Sequence, residues 1–443
     1  MTIPSSPRRI LSGIAATAAA ALVASPACAQ TAKIDGADTA WMIVATGIVL
    51  MMTIPGLALF YCGMVRKKNV LATMAQSLAA TALVSLLWMM IGYSLAFTGE
   101  APFIGTTERL FLNGMAMDAI SPLAKTIPEG LFMIYQMTFA IITVALVAGS
   151  VADRMRFSAF LWFVAGWVLL VYAPIAHWVW GGGFLGTAGV LDFAGGTVVH
   201  LNAGIAGLVA ALVLGARRGY GTDNFAPYDL SMAVVGTGLL WVGWFGFNGG
   251  SALGANSRAV MAIIATHLAA SAGALTWMAL EWWTRRKPSV LGMISGAVAG
   301  LGTITPASGF VLPWHGIVIG CAAGLLCFYA CTALKQRLGY DDSLDVFGVH
   351  GVGGATGMLL CGVFASAAVS RSLDMPAGQP GLIEGNPQQI VIQLYAIGAT
   401  VVWCGVVTFV LLKLIGFFVP LRVKPEAEQE GLDIAQHGES IHA

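Results

Sequence analysis

The chain has 443 residues, of which 58% are hydrophobic and only 10% charged, with a formal net charge of +1. A soluble domain carries about 25% charged residues, so the charges are too few to cover a water-facing surface, and lipid is expected over most of the exterior. The near-zero net charge excludes a global field that would draw in nucleic acid or an acidic partner.

The chain opens like a secretory signal. Arg8 and Arg9 precede a short apolar stretch from Ile10 to Val23, and Ala27-Cys28-Ala29 fits small-x-small cleavage before Gln30. Residues 1–29 are therefore predicted to be a cleaved signal peptide. The stretch is shorter than the ~20 residues a membrane span needs. Eleven longer apolar runs follow, at 39–61, 71–98, 130–150, 158–178, 195–215, 230–251, 258–281, 289–306, 314–334, 346–368 and 389–418. They predict an all-α polytopic membrane protein, with a membrane domain over 30–420 and a polar tail over 421–443 that reads as a flexible regulatory or interaction segment, or as a solvated end. With the N-terminus outside, fifteen basic residues fall in inner segments and five in outer ones, the bias that the positive-inside rule requires. The expected location is a bacterial inner membrane, with the N-terminus periplasmic and the C-terminus cytoplasmic. The 55 glycines suit close helix packing in lipid. None of the seven cysteines forms a CxxC, so they read as small core residues.

Two segments repeat one theme. Asp192 precedes His200 by eight residues, and Asp342 precedes His350 by eight. Glycine-rich helix follows both histidines. The first motif opens the fifth predicted span and the second opens the tenth, in opposite membrane directions. That is the pattern of an inverted 5+5 repeat with the eleventh helix left over. Eight helical residues rise ~12 Å, so two such histidines entering from opposite faces could meet near the midplane.

Ionisable groups within spans are expensive and usually face a cavity or each other. Neutral imidazole has one donor and one acceptor. A buried pair can pass a hydrogen bond or a proton without holding a fixed charge, which suits a small, weakly basic substrate. The competing reading is that each histidine satisfies a backbone carbonyl. A metal site would need three or four ligands, and no third ligand repeats with these two. His267 and His315 lack the repeat and read as packing or interface residues, and His177 as interfacial. Asp192 reads as the cap of a helix start or as a direct cation ligand. Trp180, Trp244, Phe247, Ser251, Tyr135 and Phe139 cluster near outer helix ends. They read either as a cation-attracting aromatic site or as an ordinary interfacial belt.

At this point the motifs resemble those of a known family. Asp192 to His200 with Gly204, Gly207, Gly215 and Arg217 is similar to the signature of the ammonium transporter family (Amt/Mep/Rh). So are Thr53-Ile-Pro-Gly56, Gly243 to Asn248, Asp345 to Gly351, and the tail Glu430-Gly-Leu-Asp433. The bacterial Amt branch fits best, and the likeness runs from about residue 38 to the end. The resemblance implies a homotrimer with one pore per subunit. No cofactor is expected, and a membrane enzyme would need a catalytic cluster beyond the two histidines, which the sequence does not offer. The resemblance implies an outer ammonium site at Trp180, Phe139 and Ser251, with Tyr135 where relatives commonly carry Phe, and a gate formed by Phe139 and Phe247. It also implies a twin-histidine pore at His200 and His350, a site-shaping acid at Asp192, and a PII-type signalling partner at the cytoplasmic mouth. The rivals are an electroneutral ammonia gas channel and an ammonium sensor that signals through its tail.

Overall fold

A computed structural model describes residues 33–371 and 377–441, so the expected signal peptide lies outside the described residues. From Ile34 onward the chain forms one compact unit. Among the described residues, ten helices are long and apolar enough to cross a membrane: α1 (Gly36–Met64), α2 (Lys67–Phe97), α3 (Glu129–Val151), α4 (Phe157–Thr187), α5 (Gly196–Leu214), α6 (Leu230–Gly250), α7 (Ser257–Arg285), α9 (Pro313–Leu338), α10 (Phe347–Phe364) and α11 (Gln388–Phe418). An eleventh apolar helix, α8 (Val290–Ile304), is shorter. The protein is thus an all-helical, multi-pass membrane protein. The helix starts follow local chemistry. Asp35 accepts from Ala37 N–H and Asp38 N–H at the head of α1, and Asp229 and Ser289 cap α6 and α8.

The helices are not uniform. Wider π-type turns occupy Met52–Leu57, Trp88–Gly92, Val168–Tyr172, Gly196–Leu201, Ala330–Leu334 and Phe347–Gly351. Two of these carry His200 and His350. Such turns displace a side chain from the regular helical register and recur at functional sites.

The fifth helix of each half meets its counterpart in the centre. A Cβ on Gly204 would lie 2.2 Å from Gly351 Cα, and one on Gly354 would lie 2.7 Å from Gly196 O. No side chain fits at this crossing, so the glycines after each histidine are what allow the two helix starts to approach. Reciprocal glycine contacts are the physical content of the predicted repeat.

One end of the bundle, the upper end below, carries the 99–128 loop. Its Arg109 pairs with Glu129 through Nε (3.0 Å) and Nη2 (3.2 Å), and Tyr93 donates to the same carboxylate at 3.0 Å. At the lower end the tail packs against the bundle instead of extending from it. Asn69 Oδ1 accepts from Leu432 N–H, and Asp433 Oδ1 accepts from Ala72 N–H in the first turns of α2, each at 2.8 Å. Gln436 Oε1 accepts from Phe157 N–H at the start of α4, at 2.7 Å. The tail acids and amides thus supply caps that two helix N-termini lack by themselves.

Candidate functional site: a lumen between two vestibules

Asp192 sits in the loop before α5. One carboxylate oxygen accepts from Gly195 N–H (2.8 Å) and Gly196 N–H (2.6 Å). The other accepts from Thr197 N–H (2.8 Å), the Thr197 hydroxyl (2.5 Å) and Val198 N–H (3.4 Å). This is helix capping, as favoured from sequence, and it leaves little of the carboxylate free for a ligand. Gly195 stands at φ 116, a left-handed conformation that turns the chain into the helix. The Asp192 carbonyl accepts from Trp180 Nε1 at 2.8 Å, which fixes the indole beside the loop.

Trp180, Phe139, Ser251, Gln136, Phe132 and Phe193 line an upper vestibule of about 670 Å³. Trp180 and Phe139 meet edge to face, with ring centres 5.8 Å apart at 88°. The Ser251 hydroxyl donates to Phe247 O at 2.8 Å. Tyr135 lies behind the wall. Its hydroxyl is turned toward the carbonyls of Gly246 (3.0 Å) and Phe247 (2.9 Å) and lies 3.4 Å from Ser251 Oγ. The hydroxyl that sets this residue apart from Phe therefore ties α3 to the end of α6. Phe139 and Phe247 stack at 4.1 Å and 26°, forming the floor of the vestibule.

Below that pair is a narrow, nearly closed cavity, with room for about one water-sized molecule, lined by Met52, Leu57, Phe60, Ile142, Leu146, Val199, Leu240, Trp244, Val298 and the two histidines. His200 Nδ1 and His350 Nδ1 are 3.2 Å apart, and their rings are nearly parallel at 13°. Two Nδ1 atoms at this distance share one hydrogen, so one ring donates and the other accepts. His200 also stacks on Trp244 at 5.5 Å and 18°, and Trp244 Nε1 donates to Thr305 Oγ1 at 2.8 Å. His200 Nε2 is buried without a protein partner. His350 also lines a lower vestibule of about 1000 Å³, along with Phe225, Glu281, Arg285, Ser343 and Asp345. The described cavities therefore run in series: vestibule, stacked phenyl pair, histidine lumen, vestibule.

The sequence profile of the "Ammonium Transporter Family" matches residues 40–441. The chain belongs to the ammonium transporter family. An ammonium transporter of Bacillus subtilis is 48% identical over 405 residues, covering 91% of this chain and 98% of that protein. Among solved structures, Mep2 of Saccharomyces cerevisiae superposes with a TM-score of 0.82 at 38% identity, covering 89% of this chain and 88% of that one. A sensor Amt protein superposes equally well, with a TM-score of 0.82 at 28% identity, covering 90% of this chain and 98% of that chain. Members of this family are transporters, not enzymes.

Within this transporter several features were not readable from spacing. The ~12 Å helical rise expected between Asp192 and His200 does not apply, because the helix begins only at Gly196 and Asp192 lies in the loop before it. Asp342 is an incomplete counterpart. One oxygen accepts from Phe347 N–H at 2.7 Å, while the other has no partner. His177 is fully buried, with its ring nitrogens 3.0 and 2.6 Å from the carbonyls of Ala96 and Ala101, so it staples the upper loop and is not interfacial. His315 packs on Phe364 at 4.7 Å, and His267 is exposed beside Trp241. Gln136 was missed. It follows Tyr135 on a helix read only for aromatics, and its amide in an apolar span was the available signal.

The lower end carries a dense ionic cluster. Arg217 pairs with Asp341 at 2.7 Å and with Asp153 at 3.6 Å, and Arg66 pairs with Asp153 at 3.1 Å. Burial alone would raise the Asp341 pKa, but hydrogen bonds from Arg217 and its charge hold it below the usual carboxylate value. Arg154 is fully buried. Burial lowers its pKa to about 10 against the opposing pull of Asp341.

Proposed function

We propose that the protein conducts ammonium nitrogen through the twin-histidine lumen, with recruitment at the upper vestibule. The observation that carries this reading is the 3.2 Å Nδ1–Nδ1 contact inside an apolar cavity between two vestibules. Ammonium is attracted by the faces of Trp180 and Phe139, with the Ser251 hydroxyl as acceptor. Tyr135 acts from behind by holding the end of α6. Asp192 shapes the site through the loop and does not bind the cation. Passage requires Phe139 and Phe247 to part.

Below the phenyl pair the energetics favour separating the proton from the amine. A small ion in a low-dielectric wall loses several kcal/mol of hydration even after relaxation. Neutral ammonia forgoes about 1–3 kcal/mol for each hydrogen bond left unmade, and His200 Nε2 can supply one such bond. The proton crosses along the shared Nδ1 hydrogen bond, giving net charge movement. K⁺ and Na⁺ have no proton to shed and are refused.

By the same resemblance we infer a homotrimer in a bacterial inner membrane, with the upper vestibule periplasmic and the tail cytoplasmic. The expected partner at the cytoplasmic mouth is a PII-type signalling protein. The sensor reading keeps some support from the 28% identical sensor Amt protein and from the docked tail.

An ammonium pulse applied to the protein reconstituted on a supported membrane tests the reading. A current specific to ammonium is expected, and it should vanish with His200→Ala plus His350→Ala. Ammonia flux with no current would favour an electroneutral gas channel. Partner recruitment with negligible flux would favour a sensor.

A further inference from the structure

We infer that the lower end of α7 binds the headgroup of an anionic phospholipid. Here Glu281-Trp-Trp-Thr-Arg-Arg-Lys287 sets two tryptophans against three consecutive basic residues. Trp282 is 56% exposed and Trp283 78%. Arg285, Arg286 and Lys287 are all exposed. Arg286 ends the helix in a left-handed conformation at φ 62, which breaks the helical path just past the tryptophans.

Charge and apolar surface together select the ligand. Among the described residues, the one acid in ionic contact with this cluster is Glu281, which Arg285 already holds at 3.2 Å. Among the described residues, Arg286 and Lys287 form no ion pair. Two uncompensated cations thus stand beside two exposed indoles at the end of an apolar helix. Indoles settle at the headgroup level, and basic clusters next to a span attract anionic lipid. A soluble anion would use the cations and leave the tryptophans bare. A lipid with an anionic headgroup satisfies both halves of the patch.

The site adjoins the transport path. Glu281 lines the lower vestibule, and its Oε2 accepts from the Ser289 hydroxyl (2.6 Å) and Ser289 N–H (3.2 Å). Ser289 caps α8, whose Gly302 lies against both histidines. A headgroup drawing on Arg285 therefore pulls on the residue that anchors α8.

The test uses the full-length protein in vesicles of phosphatidylcholine, with brominated phosphatidylglycerol or brominated phosphatidylcholine as the probe of indole contact. Brominated phosphatidylglycerol should quench more strongly. The excess should disappear in Trp282→Phe plus Trp283→Phe, and high salt should reduce it. Arg286→Gln and Lys287→Gln should each weaken the preference about fivefold, the equivalent of ~1 kcal/mol per charge. Equal quenching by both lipids would overturn the proposal. So would competition by soluble glycerophosphate at equal concentration, or spontaneous disulfide formation between subunits by Trp283→Cys without lipid quenching. None of these readouts requires ammonium current, so they stand or fall apart from the conduction reading.

Discussion

The two mouths of the lumen hold their acids by different means. At the upper mouth Asp192 is held by backbone N–H groups and one hydroxyl, all neutral. At the lower mouth Asp153, Asp341 and Asp345 each face an arginine or lysine, with Lys335 2.7 Å from Asp345. A carboxylate satisfied by neutral dipoles keeps its charge in the local field, whereas an ion-paired acid largely cancels it. On the proposed conduction reading, this difference suits the upper mouth to draw a cation in and the lower mouth to release it. Of the two Asp-x7-His copies, Asp192 has both carboxylate oxygens satisfied by neutral donors, whereas Asp342 has a single N–H partner and stands among neighbouring acids that are ion-paired.

The comparison can be broken at the crossing both halves share. Gly204→Val forces the two helix starts apart. Overpacking costs about 1–3 kcal/mol, but the separation destroys the 3.2 Å contact, so ammonium current should vanish while the protein still inserts. Wild-type current would mean that the crossing does not set the pair. Next is the contrast between the acids. Asp192→Ala strands several buried donors at about 1–3 kcal/mol each, so a large fall in thermal stability and loss of current are expected. Asp342→Ala removes one bond and should cost only ~1 kcal/mol. Equal losses at the two sites would erase the distinction drawn between the mouths. Tyr135→Phe is milder. It frees the carbonyls of Gly246 and Phe247 at ~1 kcal/mol, and it should change the ammonium concentration for half-maximal current more than the maximum itself.

The smallest effect is in acid. The Asp341 pKa is held below its ordinary value, so the stabilisation from Arg217 is complete above the unfolded carboxylate value of 3.8. It is lost as pH falls through the lower folded value. Thermal unfolding measured down the acid range should show this loss in the wild type and less of it in Arg217→Gln.

Much of this was legible in the sequence, because membranes make hydropathy and charge nearly sufficient. The expected span at 230–251 lies over Leu230–Gly250, and that at 389–418 lies over Gln388–Phe418. The histidine pair was legible because ionisable residues in apolar helices are rare enough to be conspicuous. Other features depend on three dimensions. The π-type turns that rotate His200 and His350 into register leave no periodic mark over five or six residues. The glycines at 204 and 351 read as general small-residue packing, and only the crossing reveals their joint role. The tail read as flexible because its composition is polar, yet its polar atoms are spent on the bare N-termini of α2 and α4. The direction of the Tyr135 hydroxyl had no sequence signal at all.

The central claim is that the two imidazoles act as one unit, so either ring alone is insufficient. The most direct measurement is the response of His200→Ala and His350→Ala, made singly, to matched pulses of ammonium and K⁺ on a supported membrane. Each single variant should lose the ammonium-specific current, by silence or by admitting K⁺ as well. A single variant that keeps a full ammonium current and still refuses K⁺ would contradict the account.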